Sequence, residues 1–196
     1  MMKSPSSWLF IGLTCVLIWR LLPGGADEMD SAQRAWQQGR FSQAVDIWQA
    51  KAEAGEPRAQ ALMGWSHELG QGSALDLAEA IRLYRQAAEG GDALGQYRLG
   101  EVYLRGHGVA QDLAMAFHWM DSAARNGDVP AMLKLGILHL MGVNGQVDMV
   151  QAKEWLFQAA RRGNKLALRV LEELALAEEG KSQFDFNWQP LLIGAS

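Results

Sequence analysis

Two short stretches carry residue types that chemistry needs. "HELGQ" at 67–71 starts as a zinc-protease helix does, with a histidine followed by a glutamate. That motif holds its metal with two imidazoles one helical turn apart while the acid activates water, and Gln71 stands where the second histidine must be. "RLGEVYLRGHGVAQD" at 98–112 places a Gly-His-Gly loop behind an apolar run. Such a loop can cradle a phosphate on backbone amides or present His107 as a base, but glycine also serves wherever a chain turns with positive φ. No Ser-x-x-Lys or Gly-x-Ser-x-Gly nucleophile motif occurs, and the acids are scattered instead of being gathered in an apolar pocket. His107 and His118 fall where solvated surface residues are expected.

The elements that must position these residues decide between site and turn, because the loop is repeated. Gly64, Gly100 and Gly136 are 36 residues apart, each behind an apolar residue. Asp76, Asp112 and Asp148 keep the same spacing, as do Ala80, Ala116 and Ala152, and Gly91, Gly127 and Gly163. A period of this length marks stacked supersecondary units, none of which can bury its apolar face alone. Each unit reads as two helices. The first is opened by Asp92, Asp128 or Asn164, whose side chains can accept from free first-turn amides. The second is opened by Asp76, Asp112 or Asp148, with Glu79 and Gln151 placed to complete capping boxes, and it ends at Gly91, Gly127 or Gly163. Gly100, Ala116 and Ala123 allow the helices to approach, with Leu99, Phe117 and Trp119 filling gaps. His67 shares its repeat position with Tyr103 and His139, which makes it a core-facing substitute instead of a metal ligand. The tryptophans fall mostly on apolar helix faces, where core is the default.

The ends differ. Residues 27–55 form a helix pair whose first helix, near 29–38, is more polar, while the second keeps the repeat's pattern at Ala44, Ile47, Trp48, Ala52 and Gly55. Units follow at 56–91, 92–127 and 128–163. A capping helix covers 164–179, with Glu172 at the glycine position, and the 180–196 tail carries Phe184, Phe186 and Trp188, too apolar for a solvated tail. The first 26 residues read as an address: Lys3, then the apolar run "WLFIGLTCVLIW", then small residues at Gly24 and Ala26. Either a secretory signal is cleaved after Ala26, or residues 8–22 stay as a short inner-membrane anchor with Arg20 snorkelling to the interface. Either way the expectation is export to the periplasm or cell envelope, with membrane contact only through residues 8–22 if they are retained. Lys and Arg number 18 against 22 acids, and the first 26 residues hold cations but no acid, so the remainder is acidic and nucleic acid is not an expected partner. The single cysteine, Cys15, lies in the address segment, which leaves no disulfide or cysteine-held metal in the folded part.

"GQYRLGEVYLRGHGVAQDLAMAFHWMDSAARNG" resembles the Sel1-like repeat, a relative of the tetratricopeptide repeat, and the resemblance covers about residues 27–179. It implies an all-α fold, a right-handed α-solenoid of stacked helix-turn-helix repeats. It also implies a non-enzymatic scaffold that needs no cofactor and binds protein partners in the cell envelope. If the first helices line the concave groove, as in the related repeats, the inward positions are Trp65, Tyr97, Arg98, Glu101, Leu104, Arg105, Leu133, Lys134, Ile137, Leu140 and Arg169. Large apolar anchors flanked by cations suit a segment of another protein. The tail, through Phe184, Phe186 and Trp188, has two candidate places, over the last repeat or in the groove itself. Two rival functions stand beside the scaffold: a peptidoglycan- or glycan-binding accessory module, and a cell-wall hydrolase.

Overall fold

The computed structural model describes residues 25–180 together with Leu192. The expectations for Phe184, Phe186 and Trp188, and for the apolar segment ahead of residue 25, lie outside the described residues.

Among the described residues the elements are helices of nearly equal length: α1 (Gly25–Gln37), α2 (Phe41–Glu53), α3 (Pro57–Leu69), α4 (Leu77–Glu89), α5 (Ala93–Arg105), α6 (Leu113–Arg125), α7 (Val129–Leu140), α8 (Met149–Arg161) and α9 (Lys165–Glu178). α1 begins several residues earlier than its sequence suggested. The repeated polar residues start the helices. Asp76, Asp92, Asp112, Asp128 and Asp148 each accept the backbone N–H three residues on, and Asn164 accepts from Leu166 and Ala167. Each supplies a partner for an amide that the first turn leaves orphaned.

The capping boxes expected at Glu79 and Gln151 do not close. The amides of Asp76, Asp112 and Asp148 donate instead to the carbonyls of His67, Tyr103 and His139, at 3.0–3.1 Å. Glu79 turns away to Arg82. This bond ties the start of each second helix to the end of the first, so the position shared by His67, Tyr103 and His139 is a loop anchor through its backbone. Glycines end the helices as expected. Gly91, Gly127 and Gly163 have φ of 85–91°, and the next residue's amide reaches back to Ala87, Ala123 or Ala159. That left-handed turn satisfies the last carbonyls and suits a residue without Cβ.

Each helix packs on the next in sequence, α3 also packs on α5, and Lys134 of α7 reaches Glu101 of α5, so α3, α5 and α7 share one layer. The buried residues fall into three successive clusters. One centres on Trp36 and Trp48, one on Tyr84 and Leu99, and the largest runs from Leu104 through Leu135 and Leu156 to Leu174. At Gly100 the space a Cβ would need is taken by Met120, a pairing the spacing of Ala116 and Ala123 had not pointed to. Phe117 and Trp119 border the core, half-buried. Units are also stapled side by side. Asn126 donates to the Gly91 carbonyl at 3.3 Å, and Arg162 to the Gly127 carbonyl at 3.0 Å, each reaching back one repeat. Arg162 is thus more than a cation at a helix end.

Candidate functional site

The Gly-His-Gly loop is a turn. Gly106 and Gly108 both have positive φ, and a Cβ on Gly108 would strike Ile81 Cδ1 at 2.7 Å, so the loop lies pressed on the preceding unit. His107 and His118 are exposed. His67 Nδ1 meets the Ala74 carbonyl at 3.0 Å, and His139 stands edge-on to Phe117 at 5.0 Å. Burial pushes the His139 imidazole below its ordinary range, with Asp148 and Asp121 opposing that shift. Among the described residues no group of three or more His, Cys, Asp or Glu side chains could hold a metal ion. An open hollow of about 670 Å³ lies beside α2–α4, but the Glu79 and Arg82 that line it pair with each other.

The inner positions named from sequence separate into two groups. Leu104 and Ile137 are 1% and 0% exposed, so they join helix to helix and offer no surface. Leu133 and Leu140 are also buried in the large cluster. The polar and aromatic members instead form one connected network across α3, α5 and α7. The Arg98 guanidinium lies over the Trp65 ring at 5.4 Å and the Tyr97 ring at 5.9 Å, and pairs with Glu68 at 3.8 Å. Glu101 pairs with Arg105 at 3.6 Å along its own helix and with Lys134 on the next unit. Arg169 is exposed on α9 and takes no part in these pairs.

Two residues of the network escaped the sequence reading. The Tyr84 hydroxyl donates to Glu68 at 2.5 Å, joining a second helix to the inner layer. Glu68 carried a legible signal, since the positions 36 and 72 residues on are Leu104 and Leu140. Tyr84 carried none, because its apolar body looks like core.

The electrostatics are those of a half-dry surface. Glu101 and Lys134 are 8% and 7% exposed. Burial lowers the Lys134 ammonium from its ordinary pKa, while Glu101's charge and hydrogen bond pull it back up. Burial likewise raises the phenols of Tyr84 and Tyr97, and the neighbouring carboxylates add to the rise. Surface ion pairs are worth under about 1 kcal/mol, whereas stripping one partner from a buried pair costs about 3–5 kcal/mol, because a charge is left without water or counterion. The arrangement holds charges in place.

The Sel1 repeat family model matches residues 57–92, 93–128 and 129–164. The chain belongs to the Sel1 repeat family. The units read from the capping residues start one residue earlier. A Sel1 repeat protein from Oxalobacter formigenes is 26% identical with a TM-score of 0.71, covering 79% of this chain and 61% of that one. A protective antigen present in uropathogenic Escherichia coli strains, displaying an SLR fold, is 25% identical with a TM-score of 0.54, covering 86% of this chain and 44% of that one. A Sel1 repeat protein from Klebsiella pneumoniae shares the fold at 24% identity and a TM-score of 0.59, over 85% of this chain and 82% of that one. The chain thus spans less than two thirds of the first two. No curated protein matches it. Sel1 repeat proteins generally mediate protein–protein interaction and are typically non-catalytic scaffolds.

Proposed function

We propose that this chain is an adaptor of the bacterial cell envelope, exported through its N-terminal address, that holds a segment of a partner protein on the concave face formed by the odd-numbered helices. The observation that carries this reading is the network of the half-buried pair Glu68–Arg98 and the buried pair Glu101–Lys134, set among Trp65, Tyr97 and Arg105. Fixed charges beside large apolar side chains are how a solenoid reads a peptide segment: the apolar contacts supply affinity and the charges supply register. The buried Arg98 Nε has no hydrogen-bond acceptor among the described residues, which leaves a donor unused at the centre of the network. The glycan alternative has less support. The Arg98 guanidinium already lies over both aromatic rings, the faces a sugar would stack on.

The test is site-specific photo-crosslinking of the intact chain in its native envelope. A probe at Arg105, exposed on α5, should yield an adduct with a discrete protein that weakens when Arg98 is replaced by Ala. The same probe at Arg85, exposed on α4, should not. Equal labelling from both positions, or an adduct indifferent to Arg98, overturns the reading. Fractionation locates the chain, and its recovery in the cytoplasm would overturn export.

A further inference from the structure

Lys134 has a second partner besides Glu101: its ammonium donates to the main-chain carbonyl of Leu192. Leu192 is 3% exposed and belongs to the same buried cluster as Leu104, Leu133, Ile137 and Leu140. Fifty-eight positions separate lysine and carbonyl, so this is a long-range contact made by the last few residues of the chain. We infer that the α5–α7 part of the inner face is a receptor for an apolar residue presented with its carbonyl toward Lys134, and that its resident occupant is this chain's own C-terminal segment, held in cis through Leu192.

The chemistry is specific. An ammonium has three donors, and out of water each seeks an acceptor. Glu101 takes one and neutralises the charge, and the Leu192 carbonyl takes another. A carbonyl is carried by every residue, so the lysine fixes the segment's position without choosing its sequence. The choice is made by the apolar cluster that receives the leucine side chain. Reach permits the cis route. α9 ends at Glu178, and the fourteen positions to Leu192 span up to about 45 Å when extended, whereas α7 lies two helices before α9 and packed helix axes sit about 8–10 Å apart. A site already filled by its own chain is latched, and a partner segment must displace Leu192 to enter.

This inference rests on the reading of the inner face as a segment-binding groove. Its test uses full-length chains and a fluorescent peptide with the sequence of residues 181–196. The native chain should bind the peptide at least tenfold more weakly than the Leu192→Asp chain, whose latch is released. Adding Lys134→Met to Leu192→Asp should cancel that gain. In hydrogen exchange, Leu192→Asp should speed the amides of α5 and α7 and leave α1 and α2 unchanged, which separates release from unfolding. Equal peptide affinity in native and Leu192→Asp chains, a gain that survives Lys134→Met, or exchange that rises everywhere overturns the inference. So does a native chain whose dimeric mass falls to that of a monomer with Leu192→Asp, since the tail would then sit in a second copy. Peptide binding with no Arg105 adduct would sink the adaptor reading and leave the latch. An Arg105 adduct with no effect of Leu192→Asp would do the reverse.

Discussion

His139 shows how one residue can look like chemistry and act as structure. Its carbonyl anchors the Asp148 amide, and its ring stands against Phe117. Burial lowers its imidazole below the ordinary 6.5, so in the window beneath 6.5 the unfolded chain takes up a proton that the folded chain refuses. The stability tied to this group is therefore complete above that window and declines as pH falls through it. His139→Phe keeps both the backbone anchor and an aromatic ring while removing the proton. Its melting temperature, measured against the native chain from pH 7.5 to 5, should gain on the native value as pH falls. A constant difference between the two would show that the imidazole does not titrate with folding. The caps give a second test. Asp92→Ala removes an acceptor from the Gly95 amide and should cost about 1 kcal/mol in denaturant unfolding. Asp128→Asn, which keeps an acceptor of the kind Asn164 already uses, should cost far less.

At the scale of the helix pair, glycine marks close approach, and the neighbouring atoms decide what each glycine is worth. A Cβ on Gly95 would lie 2.5 Å from Ala87 Cβ and 2.9 Å from the Ala88 backbone nitrogen, and backbone cannot swing aside. The three atoms nearest a Cβ on Gly100 all belong to the Met120 side chain, at 3.0–3.3 Å. Alanine improves helix propensity by about 1 kcal/mol at either site, and overpacking a tight site costs about 1–3 kcal/mol. Gly95→Ala should therefore lower stability, while Gly100→Ala should be neutral or stabilising as methionine shifts. Equal effects in chemical denaturation would show that the α4–α5 contact yields as readily as the α5–α6 contact. The pairing of Gly100 with Met120 also shows where periodicity stops. Repetition identifies which residues face a neighbour, but not which of several facing side chains fills the gap.

At the scale of the molecule, helices that pack mainly on their chain neighbours make stability nearly one-dimensional. Leu156, fully buried between α7 and α8 beneath Gly136, should behave accordingly. Leu156→Ala should cost about 2–5 kcal/mol locally and speed hydrogen exchange in α7–α9 well before α1 and α2 respond. Uniform acceleration would show a single cooperative body instead. The sequence by itself determined the repeat, the capping residues, the left-handed glycines and the turn at 106–108, because each depends on bonds within one unit and recurs every 36 residues. Only the tertiary structure decided that Leu104 and Ile137 are sealed while Arg98 and Lys134 meet acids of the preceding unit, and that the carbonyl of Leu192 returns to Lys134. Those contacts join chain segments tens of residues apart, and their partners do not repeat. Stacking turns a shared position into core in one unit and a charged wall in the next.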